Sequence, residues 1–566
     1  MKIVLVVFSC VVGIIASPNC PSDQPLVNAP IGPIRGSIIP SRQGRKIYSF
    51  RGVRYGESPT GHQRFQPPIP AEDWRDVFDA TEEGPSCPYP RAKLISEDCL
   101  RLNVYTSKLP CENENVSRPV MVFLHPGGFY SYSGQSSLWG PQYIIDKDIV
   151  LVTVNYRLGA LGFLSTGDHL APGNNGLKDQ VVALRWVQRN IAAFGGNPNA
   201  VTLCGYSAGS FSIMLHMMSP MSKDLFHRAI TMSATPISAD LYGAISSTGQ
   251  KDLAKKQAEA LDCPTDTTGS MLLCLNTKPV ENFTDTLSSL FEWHGNPILL
   301  FKPTVEREVR GVERFLTAQP YDLIKQGKFH QVPLILGVTK DEFGGVAAAY
   351  EKDFRNNGTL YQELNDNWNH LAPIILQYER GTPRTDYVSR ELRRFYFNDQ
   401  PINSATNKEL SEIYADGIII FPMYRTAKLF ATYSKKPVYF YKFTFQSRYS
   451  FSMWNDTTPF GVVHHDDLQF LFFMKQIFQY FESDAPEIPM VEKYTTMWTN
   501  FVQTGEPIPK NDEKFKGVTW TTLVPSRNNY LEINLNPTMK TDFYPERMRT
   551  WERLFPLPTK SHNVKH

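Results

Sequence analysis

The run Val201-Thr202-Leu203-Cys204 ends in Gly205-Tyr206-Ser207-Ala208-Gly209 and passes directly into a helix-compatible segment. An apolar, β-like run followed by Gly-x-Ser-x-Gly and then a helix is a nucleophile elbow, a strained turn that thrusts a serine hydroxyl out at its tip. Glycines at 205 and 209 permit a backbone approach that a Cβ would obstruct. Ser207 is therefore the candidate nucleophile. In a chain of 566 residues with 36 glycines the bare pattern can arise by chance, so its weight rests on its context and its partners.

The context is an α/β sheet. Short apolar, β-branched runs occur at Val120–Leu124, Ile149–Val154, Val201–Cys204, Ala229–Met232, Val332–Leu336 and Val438–Phe443. Most are too uniformly apolar for one-sided burial, which predicts a sheet covered by helices on both faces. Between the second and third runs, Leu177, Val181, Leu184, Val187 and Ile191 recur at helical spacing, and Gly195-Gly196 stops the helix near Phe194. Strand, helix, strand in that order implies a parallel crossover. No repeat, charge block or linker interrupts the chain, so residues 17–566 read as one domain.

A serine nucleophile needs an oxyanion site, a base and an acid. Successive glycines in Leu124-His125-Pro126-Gly127-Gly128 follow a buried strand and free backbone amides to face a developing negative charge. The candidate donors are the amides of Gly127, Gly128 and Ala208, the last being the residue after the nucleophile. Downstream, Gly461-Val462-Val463-His464-His465-Asp466-Asp467 offers an imidazole on a glycine-led loop. His464 is the better placed, with His465 a competitor by spacing alone. For the acid, Asp341 and Glu342 follow the run Val332–Leu336, past a strand's C-terminal end where α/β sites gather. Either fits. Adjacent side chains rarely converge on one tetrahedral ion, so the His-His-Asp-Asp run is not read as a zinc site and no metal or organic cofactor is expected.

Composition sets the setting. A formal charge of +2 gives no electrostatic footprint for nucleic acid or an anionic surface. Lys2, the apolar run Ile3 to Ile15 and the small pair Ala16-Ser17 read as a signal peptide over residues 1–16, too short to span a bilayer. No membrane anchor follows, and a secreted, extracellular protein is the expectation. Cys87 and Cys99, and Cys263 and Cys274, are spaced for short disulfide-closed loops in an oxidising compartment. Cys204 reads as a buried small hydrophobe, while Cys20 and Cys111 pair with each other or stay free. Asn115, Asn282, Asn357 and Asn455 head glycosylation sequons.

Taken together these residues resemble the type-B carboxylesterases, the family that includes the cholinesterases, and look nearest to secreted insect carboxylesterases. The likeness also runs through Phe50 to Tyr55, Arg64-Phe65, Glu97 to Tyr105, Asn155 to Gly159, Gly162 to Leu164, Gly173 to Gln180 and Phe194 to Pro198. It implies an α/β-hydrolase fold with a large, mostly parallel central sheet. It also implies Glu342 as the acid, His464 as the base, and the disulfides Cys87 to Cys99 and Cys263 to Cys274. Asp467 matches a position usually acidic in the family and reads as support for the histidine. The implied activity is hydrolysis of small carboxylic esters.

The chain also departs from the family. Pro126 stands where a third glycine is usual, and it precedes the proposed donors. Phe343 intervenes between Glu342 and Gly344-Gly345. Tyr206 replaces the glutamate of cholinesterases and the glutamine that looks characteristic of juvenile hormone esterases. No tryptophan lies between Cys87 and Cys99, which argues against a choline ester. Two other readings are an inactive esterase-like binding or adhesion protein, against which the complete serine, glutamate and histidine set speaks, and a lipase-type long-chain esterase.

Overall fold

A computed structural model describes residues 24–110, 117–242, 245, 247–455, 458–510 and 512–558. The expected signal peptide, Cys20, Cys111 and Asn115 lie outside the described residues.

Among these residues eleven strands form one sheet: β1 (Ser37–Pro40), β2 (Lys46–Arg54), β3 (Arg101–Thr106), β4 (Arg118–Leu124), β5 (Val150–Val154), β6 (Gly196–Tyr206), β7 (Arg228–Met232), β8 (Leu334–Thr339), β9 (Val438–Phe443), β10 (Tyr530–Ile533) and β11 (Thr538–Lys540). Their order is β11-β10-β9-β8-β7-β6-β4-β5-β3-β2-β1. Every pairing from β5 through β10 is parallel, whereas β1, β2 and β3 at one end and β11 at the other pair antiparallel. The six apolar runs of the sequence are β4 to β9, the parallel heart of the sheet. The outer strand β2 carries Lys46, Ser49, Arg51 and Arg54 among its apolar residues, so a search for continuous apolar runs passes over it.

Alternation explains why the inner strands are apolar throughout. Successive side chains of a strand point to opposite faces. Val120, Val122 and Leu124 join one core with Leu177 and Val181 of the helix Asn175–Asn190. Met121 and Phe123 join the other with Tyr494 and Trp498 of the helix Ile488–Thr504. The predicted helical stripe Leu177, Val181, Leu184, Val187 and Ile191 is fully buried. Its helix ends at Asn190, a 3-10 turn Ile191–Phe194 follows, and Gly195 leaves it at φ 79°. Near its start, Asp179 forms a buried ion pair with Arg157 at 2.7 Å, which fixes the segment after β5 against the helix.

One boundary differs in a way that moves the site. The sequence reading ends the eighth strand at Leu336, but β8 continues to Thr339 because Gly337 lies under the ring of Tyr441 and the segment pairs with Tyr441 to Phe443 of β9. Glu342 therefore stands three residues past the strand's C-terminal end.

The disulfides Cys87–Cys99 and Cys263–Cys274 are formed. Cys204 is an unpaired, buried thiol on β6. Of the sequons, Asn357 is exposed at a left-handed turn with φ 60° and Asn282 is half-buried. Asn455 ends the short strand Met453–Asn455, and the remainder of its sequon lies outside the described residues.

Candidate active site

At the end of β6 the backbone turns on Ser207, which has φ 52° and ψ −119° before the helix Ala208–Met218 begins. A non-glycine residue in such a region costs about 1–3 kcal/mol and persists only where its surroundings hold it. Here the Ser207 amide donates to the Met232 carbonyl at 2.8 Å, and the Ser207 carbonyl accepts from the Phe211 amide at 2.9 Å. The flanking glycines are sterically required. A Cβ on Gly205 would lie 2.6 Å from the carbonyl carbon of Gly209, and one on Gly209 would lie 2.0 Å from the carbonyl oxygen of Leu124. The elbow is thus pressed against the end of β4, where the glycine loop starts.

In that loop Gly127 and Gly128 have φ 118° and 58°. The Gly127 carbonyl accepts from the amides of Tyr130 and Ser131, both at 2.9 Å, and from the Ser131 hydroxyl at 3.0 Å. In a trans peptide the following N–H points the other way, so the Gly128 amide is turned away from those partners. Among the described residues nothing accepts from the amides of Gly127, Gly128 or Ala208. Pro126 has a structural task instead. Its carbonyl accepts from His125 Nδ1 at 2.7 Å, and the buried His125 ring stacks on Tyr156 at 4.3 Å.

The two pairs of adjacent alternatives separate by hydrogen bonding. His464 Nδ1 donates to Glu342 Oε2 at 2.5 Å, and Glu342 Oε1 accepts from the Thr339 amide at 2.9 Å. Asp341 turns elsewhere: its Oδ2 accepts from the Val462 amide at 2.9 Å, and its own amide donates to the Val462 carbonyl at 2.9 Å. It pins the histidine loop to the acid loop. His465 gives its backbone N–H to the Tyr206 hydroxyl at 2.9 Å, and its ring packs against Phe451 and Tyr132. Asp466 closes the same loop, accepting from Ser450 and from the Phe451 and Val463 amides. Asp467 accepts from Tyr494 at 2.9 Å and from Tyr441 at 3.3 Å, so it acts on the packing beneath the histidine and not on its ring. Burial pushes the Asp467 carboxyl up to about 7.

Electrostatically, the Glu342 and His464 side chains are buried to the point that charge is disfavoured on both. Loss of solvation raises the Glu342 carboxyl, against the opposing hydrogen bond from Thr339, and lowers the His464 imidazole. A neutral His464 with Nδ1 protonated leaves Nε2 free to accept a proton.

Ser207, His464, Gly127, Gly128 and Ala208 line a single cavity of about 180 Å³. Glu342 stands behind His464. Other walls had no signal in the sequence: Ile418 and Ile419 come from the π-helical segment Asp416–Ile420, and Leu376 and Gln377 from the end of the helix Trp368–Leu376. Such a π-helical turn often marks a functional site, but it has no composition cue. Apart from His464, which is buried, and His465, which is half-buried, no side chain of the lining is ionisable near neutral pH. Among the described residues no group of three or more His, Cys, Asp and Glu is placed to hold a metal ion.

A parallel-centred sheet with a serine elbow after one strand, an acid after a later one and a histidine loop beyond defines an α/β-hydrolase that acts on esters. The chain belongs to the carboxylesterase family, whose model matches residues 23–551. It is 35% identical over 520 residues to Esterase E4 of Myzus persicae, covering 89% of this chain and 91% of that protein. It is 33% identical over 521 residues to the juvenile hormone esterase of Tribolium castaneum, covering 88% and 86%. The crystal structure of juvenile hormone esterase from Manduca sexta, with OTFP covalently attached, superposes with a TM-score of 0.83 at 27% identity, covering 94% of this chain and 100% of that one.

Proposed function

We propose that this chain is a secreted serine carboxylesterase that cleaves small neutral esters through an acyl-enzyme on Ser207, folded as one domain over residues 17–566. The carrying observation is the 2.5 Å hydrogen bond from His464 to Glu342 on the cavity that Ser207 and the unpartnered glycine-loop amides also line. His464 Nε2 takes the Ser207 proton as its oxygen attacks the ester carbonyl. The amides of Gly127, Gly128 and Ala208 hold the oxyanion, at a gain of several kcal/mol each way. The protonated imidazole returns its proton to the leaving alkoxide, and water repeats the sequence to release the acid. Glu342 fixes the Nδ1–H tautomer and stabilises the transient imidazolium.

The lining carries no acidic or basic side chain apart from its histidines, which favours neutral esters over carboxylate-bearing substrates. Support for secretion comes from the apolar stretch Ile3 to Ile15, from two disulfides and from the exposed sequon at Asn357. No helix among the described residues is long and apolar enough to cross a membrane. Covalent attachment of a small molecule to the Manduca sexta relative accords with a site that carries a nucleophile.

The test is hydrolysis of a chain-length series of p-nitrophenyl esters by the purified protein beside its Ser207→Ala variant. Turnover abolished in the variant, with an optimum at short or medium acyl chains, is the expected result. An optimum at long chains would instead make it a lipase-type esterase. Absence of turnover in folded wild type would leave the esterase-like binding protein as the better account.

A further inference from the structure

Tyr206 is the residue in the elbow that the triad leaves unexplained. It precedes Ser207 on β6, it is fully buried, and its own backbone is paired to Met232 of β7. Its hydroxyl reaches across to the histidine loop and accepts the His465 N–H at 2.9 Å. Its ring stands edge-on to the His464 imidazole at 5.0 Å and tilted over that of His465, also at 5.0 Å.

The peptide that receives this bond is an unusual one. His465 has φ 82°, a left-handed conformation that L side chains rarely adopt. Its N–H belongs to the peptide that begins at the His464 carbonyl, so the orientation of that peptide sets ψ of His464 and with it the direction of the His464 side chain. The loop has other ties, from Asp341 to Val462 and from Asp466 to Val463. Beyond His464 the loop is also held by Asp466, on Ser450 and Phe451, and by Asp467, on Tyr441 and Tyr494; the Tyr206 hydroxyl is what ties it to the strand that carries Ser207.

We infer that Tyr206 is a positioning residue: its phenol oxygen, by accepting the His465 N–H, latches the loop that carries His464 onto the strand that carries Ser207. Base and nucleophile thereby share one rigid connection in addition to the sheet. A glutamate or glutamine at this position has a shorter reach and no ring to fill the space beside both imidazoles. The inference rests on the assignment of Ser207 and His464 proposed above, but its structural half does not depend on turnover.

Two readouts on the full-length protein test it. Tyr206→Phe removes one oxygen and keeps the ring. It is expected to raise hydrogen–deuterium exchange of the segment 461–467 at least tenfold while segments on β7 and β8 keep their rates. In the same variant kcat for a p-nitrophenyl ester is expected to fall ten- to a hundredfold with KM within twofold, because loss of orientation weakens the transition state and not substrate uptake. Tyr206→Gln, with a shorter reach and no ring, is expected to lose at least as much as Tyr206→Phe; if neither variant folds, exchange of the His465 amide in wild type is the reporter, expected to be as slow as that of amides on β7, and exchange as fast as in an exposed loop overturns the latch. Unchanged exchange at 461–467, or kcat within threefold of wild type, overturns the latch. If wild type shows no turnover, the esterase assignment fails, and the exchange experiment alone still decides whether the latch exists.

Discussion

The ring of Phe343 lies nearly parallel on the imidazole of His464, with centroids 4.6 Å apart and planes inclined by 19°. From the sequence, Phe343 is a departure that separates the acid from its glycines. In the structure it packs on the proposed base, His464. The residue sits at φ 52°, and this left-handed turn is what swings its side chain back over His464 while Glu342, one residue earlier, reaches Nδ1 from the ring's edge. An aromatic pair of this kind is worth about 0.5–1.5 kcal/mol beyond its buried area. Phe343→Ala is therefore expected to lower kcat/KM for p-nitrophenyl acetate about two- to tenfold, with Ser207 still fully reactive to an active-site titrant. Activity equal to wild type would show that the stack does not orient the base.

Gly209 provides a sharper contrast. A methyl group there would stand 2.0 Å from the Leu124 carbonyl oxygen, a backbone atom that cannot give way without shifting β4 and the glycine loop behind it. Gly209→Ala is expected to abolish ester hydrolysis and to lower Tm by several degrees. Gly249→Ala is the control, since a Cβ there meets nothing within 4 Å and the residue lies in the helix Ser247–Glu259. That change is expected to raise stability by about 0.4–1 kcal/mol. Thermal melts of both variants check the pair of predictions.

What the sequence could not decide shows where local pattern loses its power. Ser207 is legible because strand, elbow and helix are contiguous, and the steric demand on Gly205 and Gly209 is written in adjacent residues. The parallel strands β4 to β9 are legible because burial on both faces leaves no polar positions. Asp341 against Glu342, and His464 against His465, are neighbours in the chain whose difference is only the direction each side chain takes. That direction comes from contacts more than a hundred residues away, Asp341 with Val462 and Tyr206 with His465. The family resemblance favours Glu342 and His464, and their proposed roles rest on the hydrogen bond between them. Ile418, Leu376 and the other distant cavity walls are set by helix packing, which leaves no local mark.

The pH profile follows from burial. His464 must be neutral to accept the Ser207 proton, and burial lowers its pKa below the ordinary histidine value of about 6.5. Protonation, and with it loss of activity, is therefore displaced to more acid solution: the acid limb of kcat/KM is expected to lie below pH 6.5. Glu342→Gln keeps the shape of the acid but not the tautomer it enforces, and is expected to lower kcat by about a thousand- to ten-thousandfold. A limb above pH 7 in wild type would mean that the imidazole gains more from a charged Glu342 than it loses by burial.

Acyl-chain preference is the remaining consequence of the cavity. Ile418 is half-buried on the π-helical segment Asp416–Ile420 and faces the same space as Ser207, with Gly417 beside it packed so closely that a Cβ would lie 2.6 Å from Leu376. That wall cannot retreat, because the helix is backed by Leu376 and Trp551 at Gly417. A larger side chain at 418 must therefore grow into the cavity and take volume from the substrate. Each methylene that no longer fits forfeits about 0.8 kcal/mol of burial, close to fourfold in kcat/KM. Ile418→Trp is expected to leave hydrolysis of p-nitrophenyl acetate within twofold of wild type and to shorten the preferred acyl chain by at least two carbons. An unchanged chain-length profile would place the acyl group on another wall of the cavity, away from the π-helical turn.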